Sequence, residues 1–494
     1  MTLDVHTLNQ VLLAASVVLL LAILAVRLSV GVGFPSLLVY LLIGVALGED
    51  GLGIQFENYD LAVALGFAAL LVILAEGGLT TDWSAMKPTL RLGTALATLG
   101  LVASILVVAV FCHFVLNMSW QLAVLLGAIT SSTDAAAVFS VLRRVPVPRR
   151  LTGALETESG LNDAPVVVVV TLVSVSGDHG PLGFLGLVVY ELSVGIGIGL
   201  AVGFAGAWMM RRVALPASGL YPIAVLAMTV LAYAGAAAIH ASGFAAVYLA
   251  GVVLGNAELM HRTATRSFAE GLAWLAQIGL FVMLGLLASP QRITGHTILL
   301  AVLAGAVLTF VARPVSVAVA ALVQRVSWRE AGFLSWAGLR GAVPIVMATI
   351  PLAEGVDGSL QLFDIVFVLV VIYTLLTAPT LPRIATWLGV AQTSSPRDVE
   401  VEAAPLERLA ADLLMMTVTP ESRLHGVEVG ELRLPRGSSL SMIVRDGEVK
   451  VHEARTVIRR GDDLLVVAPR RIRDKTERRL HAVSERGRLA NWRE

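Results

Sequence analysis

The sequence predicts an all-α polytopic membrane protein with 13 transmembrane helices, followed by a small cytoplasmic α+β domain. Of the 494 residues, 56% are apolar and 15% are charged, whereas about a quarter of an ordinary soluble domain is charged. Residues 1–390 contain 17 Lys or Arg and 19 Asp or Glu, and residues 391–494 contain 19 and 17 in a much shorter stretch. We therefore predict a transmembrane domain over residues 1–390, a linker over 391–404 and a soluble domain over 405–494.

Thirteen stretches are candidate membrane spans, because a hydrocarbon core about 30 Å thick needs about 20 mostly apolar helical residues. The first stretch has no Lys or Arg before it, so we expect a retained span rather than a cleaved signal peptide. The expected spans are residues 8–29, 34–48, 60–79, 89–116, 119–142, 151–175, 182–210, 220–239, 242–260, 268–288, 294–321, 330–352 and 362–388.

Basic residues give the orientation, because short cytoplasmic connections are enriched in Lys and Arg. Fourteen basic residues occupy alternate connections, and the opposite connections contain Arg292 alone. We therefore predict a multi-pass protein of the cell membrane with its N-terminus outside and its C-terminal domain in the cytoplasm. The fourteen are Arg27, Lys87, Arg91, Arg143, Arg144, Arg149, Arg150, Arg211, Arg212, Arg262, Arg266, Arg325, Arg329 and Arg383.

Two spans are interrupted in the middle. Span 5 contains Thr-Ser-Ser-Thr-Asp at residues 130–134, and span 12 contains Gly-Leu-Arg-Gly-Ala-Val-Pro at residues 338–344. They are seven spans apart and so cross the membrane in opposite directions. Interrupted helices at corresponding positions of two oppositely oriented halves indicate a transporter with inverted repeats and an ion site where the helices cross. We predict spans 1–6 and 8–13 as the repeats.

Few ionisable residues lie at bilayer depth, where a charge is costly and each one is a functional candidate. In span 6, Glu158 and Asp163 are about 140° apart around the helix, so they face different neighbours. We predict that Glu158 forms a structural ion pair with Arg340 and that Asp163 exchanges a proton for a cation. Glu156 is expected to be solvated, and Arg313 to be a packing or helix-end residue.

The residues near Asp163 suit an alkali cation, which prefers oxygen ligands. Asp134, the hydroxyl groups of Thr133 and Ser159 and the carbonyl groups freed by the break in span 5 would supply them. The sequence has a single cysteine, no helical His pair and no Gly-rich phosphate loop. We therefore expect no cofactor and no metal beyond the transported ion.

Four motifs resemble the monovalent cation/proton antiporters of the NhaP type. They are Leu-Ala-Glu-Gly-Gly-Leu at residues 74–79, Thr-Asp at 133–134, Glu-Ser-Gly-Leu-Asn-Asp at 158–163 and Gly-Leu-Arg-Gly-Ala-Val at 338–343. The resemblance covers roughly residues 10–390. It implies a homodimer in which each protomer moves a six-helix core against a dimerisation domain.

The resemblance also implies roles for single residues. Asp163 would exchange protons for the cation, Glu158 would pair with Arg340, and Asn162 would orient the site. The Asn162-Asp163 pair is similar to the electroneutral branch of the superfamily. Ala135 stands where many relatives have proline, which leaves the unwinding of span 5 open. The cation ligands would be Asp163, Asp134, Ser159, Glu76 and the carbonyl group of Thr133.

The C-terminal region changes to a pattern of short strands. A hairpin turn is predicted at Asp446-Gly447 and a basic helix at 471–489. Residues 426–437, 443–447 and 460–464 resemble the TrkA C-terminal (RCK-C) domain, which implies a regulatory domain that dimerises and is able to bind a small molecule. The predicted strands are Asp412 to Thr419, Ser439 to Arg445, Glu448 to His452 and Leu464 to Ala468.

These observations favour an electroneutral K⁺/H⁺ antiporter over three alternatives. The potassium-associated tail favours K⁺, and Na⁺/H⁺ exchange is the near alternative. A cation channel gated by the tail would need a carbonyl-lined filter such as Thr-Val-Gly-Tyr-Gly, which the sequence lacks. An intramembrane hydrolase using Asp134 and Asp163 would leave Arg340 without a role. The zero net charge gives no support for a nucleic-acid partner, and we expect no enzymatic activity.

Overall fold

The computed structural model describes residues 5–32, 36–54, 56, 58–133, 147–175, 180–257, 259–391, 401–406, 411–419, 422–445 and 448–487. The chain forms two compact units, Met1–Gln392 and Thr393–Glu494. The helices of the first unit are α1 (Val5–Val32), α2 (Ser36–Leu47), α3 (Tyr59–Thr80), α4 (Leu90–Phe114), α5 (Trp120–Ser131), α6 (Arg149–Ser174), α7 (Pro181–Arg212), α8 (Leu220–Ala237), α9 (Gly243–Asn256), α10 (Arg262–Leu287), α11 (Gly295–Ala321), α12 (Trp328–Trp336), α13 (Ala342–Ala353) and α14 (Ser359–Trp387).

Each predicted span coincides with helical structure. Spans 1 to 11 correspond to α1 to α11, span 12 to α12 and α13 together, and span 13 to α14. Within the described residues, seven helices are both long and apolar enough to cross a membrane: α3, α4, α7, α8, α10, α11 and α14. Large apolar side chains such as Leu13 and Leu182 are exposed on the outside of this unit, as expected where lipid is the solvent. The total of 13 spans stays a prediction.

Helices α4 and α11 each contain one wider turn. These π-helical turns are Leu96–Gly100 and Leu308–Ala312. Each packs against the other helix, and a Cβ on Gly100 would lie 2.6 Å from Ser316 Oγ. In α11, Pro314 lacks the N–H group that would donate a regular α-helical hydrogen bond. This explains why α11 departs from regular α-helical geometry just before Pro314.

Glycine residues bring several helices into backbone contact. A Cβ on Gly44 of α2 would lie 2.1 Å from Val282 O of α10, and one on Gly78 of α3 would lie 2.5 Å from Tyr248 O of α9. No side chain fits at such distances, so glycine allows these close crossings.

Helix α7 carries a ladder of glycines four residues apart, Gly195, Gly199 and Gly203, which packs inside the protomer. A Cβ on Gly195 would lie 2.4 Å from Ser242 O, and one on Gly199 would lie 2.5 Å from Ala246 O of α9. Gly203 also lies against α9. The ladder therefore serves contact between α7 and α9.

Spans 5 and 12 are interrupted near the predicted positions. Helix α5 ends at Ser131, and Ser132 has extended backbone angles. Helix α12 ends at Trp336 and α13 begins at Ala342, with non-helical backbone between them. Asp134 and Ala135 lie outside the described residues.

The second unit is a five-stranded antiparallel sheet with one helix. The strand order is β1-β2-β5-β3-β4. Alternate residues of β5 are buried, and they form a core with Leu480 and Val483 of the helix. The elements are β1 (Val401–Leu406), β2 (Ala411–Thr417), β3 (Ser439–Arg445), β4 (Glu448–Lys450), β5 (Asp463–Pro469) and α15 (Arg473–Arg486).

Strand β1 differs from the sequence prediction. It overlaps the linker predicted over residues 391–404, so that linker ends earlier than expected. Pro405 lowers the strand propensity of this segment, and proline is tolerated in β1 because it is an edge strand. The predicted turn at Asp446-Gly447 lies outside the described residues, although Arg445 and Glu448 on either side of it are paired.

Candidate functional site

The end of α5 is hydrogen-bonded to one face of α6. Ser132 Oγ donates to Asp163 Oδ1 at 2.6 Å, and Ser159 Oγ donates to the carbonyl oxygen of Thr133 at 2.7 Å. Asn162 Nδ2 donates to Thr133 Oγ1 at 2.8 Å. All five side chains are buried. Ser159, Asn162 and Asp163 are three and four residues apart, so they share the face of α6 that receives the chain after α5.

Arg340 lies at the crossing of the two interrupted spans. Its Nη1 donates to the carbonyl oxygens of Ser132 at 2.9 Å and Ser131 at 3.4 Å, and its own carbonyl oxygen accepts from Thr374 Oγ1 at 2.9 Å. The carbonyl groups at the end of a helix lack helical partners and carry partial negative charge. A buried arginine therefore stabilises the interrupted end of α5.

The predicted ion pair between Glu158 and Arg340 is wrong. Arg313 of α11 binds Glu158 through both of its terminal nitrogens, with Nη2 donating to Oε2 at 2.8 Å. Both side chains are buried, with 4% of the Arg313 side chain and 2% of the Glu158 side chain exposed. The π-helical turn of α11 ends at Ala312, directly before Arg313. Glycine at position 338 leaves room for the Arg313 side chain, since a Cβ on Gly338 would lie 2.7 Å from Arg313 Nε.

The ion-pair partner of Glu158 is therefore Arg313, which the sequence analysis expected to be a packing or helix-end residue. A buried arginine without a partner would be costly, and the position of Arg313 within span 11 could have indicated that it needs one. Arg340 was more conspicuous because it stands between two glycines in an interrupted span, and its carbonyl partners belong to the backbone, which residue types do not reveal.

Four of the predicted site residues line one cavity of about 280 Å³. They are Glu76 of α3, Thr133 after the end of α5, and Ser159 and Asp163 of α6. Asp134, the remaining predicted ligand, lies outside the described residues. Asn162 does not line the cavity but holds Thr133 beside it. Sequence reasoning missed four polar residues of the lining, namely Thr80, Thr81, Tyr248 and Gln277. Glu156 is exposed, as expected, but it also lines the cavity.

The cavity offers carboxylate, hydroxyl and carbonyl oxygens, which are ligands for hard alkali cations. Within the part of the chain that the structure describes, no three His, Cys, Asp or Glu side chains form a cluster that could hold a resident metal ion.

Comparison with known proteins agrees with this chemistry. The family described as "Sodium/hydrogen exchanger, transmembrane" matches residues 14–387, and the TrkA-C domain family matches residues 413–481. The chain is 34% identical over 475 residues to the K(+)/H(+) antiporter NhaP of Alkalimonas amylolytica, covering 94% of this chain and 82% of that protein. It is 30% identical over 473 residues to the K(+)/H(+) antiporter NhaP2 of Shewanella baltica, with the same coverage.

The solved structures include a clear match of fold. The sodium proton antiporter MjNhaP1 from Methanocaldococcus jannaschii superposes with a TM-score of 0.67 at 22% identity, covering 77% of this chain and 99% of that chain. The resemblances predicted from the sequence are thus confirmed for both parts of the chain. The protein belongs to the sodium/hydrogen exchanger family: it is a multi-pass membrane transporter that exchanges a monovalent cation for protons, not an enzyme, and it has a C-terminal TrkA-C domain.

Proposed function

We propose that the protein exchanges K⁺ for H⁺ across the cell membrane and that the two ions compete for Asp163. The observation that carries the proposal is the environment of this carboxylate, which is buried, hydrogen-bonded to a neutral hydroxyl group and open to an oxygen-lined cavity. Potassium is favoured because two relatives that span nearly the whole chain are named K(+)/H(+) antiporters. Na⁺/H⁺ exchange is the alternative.

The charges around Asp163 support electroneutral exchange. Glu158 is neutralised by Arg313, and Asn162 beside Asp163 has no charge. Asp163 is the carboxylate of α6 that is both buried and part of the cavity lining, and we assign the exchange to it. One carboxylate holds either one proton or one monovalent cation, so the exchange moves one charge in each direction.

Inverted repeats are part of the proposal, and recurring contacts support them. A shift of seven spans relates the π turns of α4 and α11 and the breaks of spans 5 and 12. It also relates two close contacts: a Cβ on Gly93 of α4 would lie 2.3 Å from Thr157 of α6, and one on Gly305 of α11 would lie 2.0 Å from Tyr373 of α14. The same shift relates α2 to α9 and α3 to α10, so the glycine crossing of α2 with α10 corresponds to that of α9 with α3.

The other predicted roles complete the proposal. The cation is bound by Asp163 together with Ser159, Glu76, the carbonyl group of Thr133 and Asp134. Arg340 and Asn162 hold the interrupted end of α5 in position. The transporter has 13 spans with its N-terminus outside, works as a homodimer whose six-helix cores move, and is regulated by the cytoplasmic TrkA-C domain, which takes a small-molecule ligand.

The test is an ion-resolved exchange assay in everted membrane vesicles that contain a pH-sensitive dye. K⁺ should dissipate an imposed proton gradient at lower concentrations than Na⁺, and Asp163→Asn should abolish the response to both ions. Asp364→Asn is the matched control, because Asp364 is a buried carboxylate outside the cavity that accepts from Arg292 at 3.2 Å. A stronger response to Na⁺ would reject K⁺ as the substrate, and activity in Asp163→Asn would reject the site.

A further inference from the structure

One face of α6 leads along the cavity to Asp163. Glu156, Gly160 and Asp163 stand at positions i, i+4 and i+7, within about 60° of one another around the helix, and all three line the cavity. Gly160 lies about 6 Å along the axis from Glu156 and about 4.5 Å from Asp163. Since Glu156 is exposed and Asp163 is buried, this face connects the outside of the protein with the site.

Tyr248 of α9 covers the middle of this face. Its side chain is 4% exposed and lines the same cavity. A Cβ on Gly160 would lie 2.3 Å from Tyr248 Oη and 2.4 Å from Cζ, which no real side chain allows. The phenol group therefore rests on the backbone of α6, and glycine at 160 makes room for it.

Tyr248 is also held from behind. Its backbone packs on α3, where a Cβ on Gly78 would lie 2.5 Å from Tyr248 O. The ring of Tyr248 therefore lies on the α6 backbone at Gly160, while the main chain of Tyr248 lies on the α3 backbone at Gly78. With its ring and its main chain each in backbone contact, Tyr248 keeps its oxygen at a constant place in the cavity, which a cation-binding group requires.

We propose that Tyr248 is a cation-binding residue of the cation path, with its hydroxyl oxygen contacting the cation between Glu156 and Asp163. A phenol oxygen is a hard, neutral ligand, so it can replace a water molecule of the ion without holding the ion as strongly as a carboxylate does. The ring narrows the path at Gly160, so that the cation gives up part of its hydration before it reaches Asp163. This inference rests on the proposed role of Asp163.

The test compares variants of the full-length protein in the vesicle assay, reading apparent KM and maximal rate for K⁺ separately. Tyr248→Phe keeps the ring on Gly160 but removes the oxygen, so apparent KM should rise about fivefold, the value of one lost hydrogen-bond-like contact, with maximal rate nearly unchanged. The matched control is Tyr233→Phe, since Tyr233 packs on Phe244 away from the cavity lining, with ring centroids 5.2 Å apart. The control should leave both parameters unchanged.

A second pair of variants tests the contact itself. Gly160→Ala should reduce exchange at least tenfold because its Cβ meets the ring, and adding Tyr248→Ala should restore the maximal rate but not the KM. Size-exclusion chromatography checks that each variant is folded; if Gly160→Ala is not, Tyr248→Phe decides. An unchanged KM in Tyr248→Phe, with Asp163→Asn inactive, would overturn this inference alone. An active Asp163→Asn would overturn the proposed function beneath it.

Discussion

Two carboxylates of the same helix have opposite environments. Glu158 is bound by both terminal nitrogens of Arg313 in a site with almost no exposure. Asp163, five residues later, accepts from the neutral hydroxyl of Ser132 and borders a cavity of about 280 Å³. Removing either partner of the Glu158–Arg313 pair would leave the other charge buried and uncompensated.

In the proposed mechanism this difference separates a fixed charge from an exchangeable one. Glu158 is held in an ion pair with Arg313, which gives it a structural role. Asp163 borders the cavity and accepts a hydrogen bond from Ser132, and it is the group to which we assign the exchange of a proton for a cation. One helix would then carry both the fixed ion pair and the exchanging carboxylate.

The largest effect is expected from breaking the fixed pair. Arg313→Met leaves Glu158 buried without its cation, which should lower the free energy of unfolding by about 3 to 5 kcal/mol. The double variant Glu158→Gln with Arg313→Met removes both charges and should recover most of that loss. Thermal unfolding of the detergent-solubilised protein measures both. Equal stability of the single and double variants would mean that the pair is not what holds Glu158.

A second fixed pair lies in the TrkA-C domain and provides a soluble counterpart. Asp462 is fully buried and accepts from Arg445 Nε and Nη2, each at 2.7 Å, and from the backbone N–H of Arg459 at 2.7 Å. Burial alone raises the pKa of Asp462, but the hydrogen bonds from Arg445 and Arg459 outweigh it and hold the pKa below the ordinary value of 3.8.

The sign of this shift predicts the acid sensitivity of the domain. The unfolded chain binds a proton at Asp462 more readily than the folded domain does, so the stabilisation is complete above about pH 4 and is lost as the pH falls through the lowered pKa. Asp462→Asn should destabilise the domain by about 2 kcal/mol and remove this part of the pH dependence. Limited proteolysis of the C-terminal domain in full-length protein, followed against pH, measures it. A variant with the wild-type acid profile would contradict the assignment.

A smaller effect is expected at the exchangeable carboxylate. Ser132→Ala removes the hydroxyl that orients Asp163, and a hydrogen bond to a charged group is worth enough to raise the apparent KM for K⁺ about tenfold. Ser131→Ala is the matched control, because that hydroxyl bonds to Gly127 O and Ser104 Oγ rather than to the site. The vesicle assay compares the two, and equal KM values would show that Ser132 does not orient Asp163.

Much of this architecture could be predicted from residue patterns. Apolar lengths located helices α1 to α14. The polar residues of span 5 and the glycines of span 12 located both interruptions, because broken helices need such residues. Asp163, Ser159, Thr133 and Glu76 line one cavity, and their role as cation ligands stays a prediction.

The remainder depended on contacts that residue types do not encode. The partner of Glu158 depends on the π turn that positions Arg313 and on the space left at Gly338. In the sequence, Tyr248 is an ordinary aromatic residue of a span, and only its contact with Gly160 in the structure distinguishes it. Strand β1 contains proline and few β-branched residues, so only its pairing with β2 identifies it.

The central claim is that proton and K⁺ compete for Asp163, and the pH dependence of the apparent KM for K⁺ tests it most directly. An ion that binds only the deprotonated carboxylate loses affinity as protons occupy it. Over the acidic part of the profile, apparent KM should therefore rise about tenfold for each unit of falling pH, while the rate at saturating K⁺ stays constant. An apparent KM that does not change with pH would contradict the account.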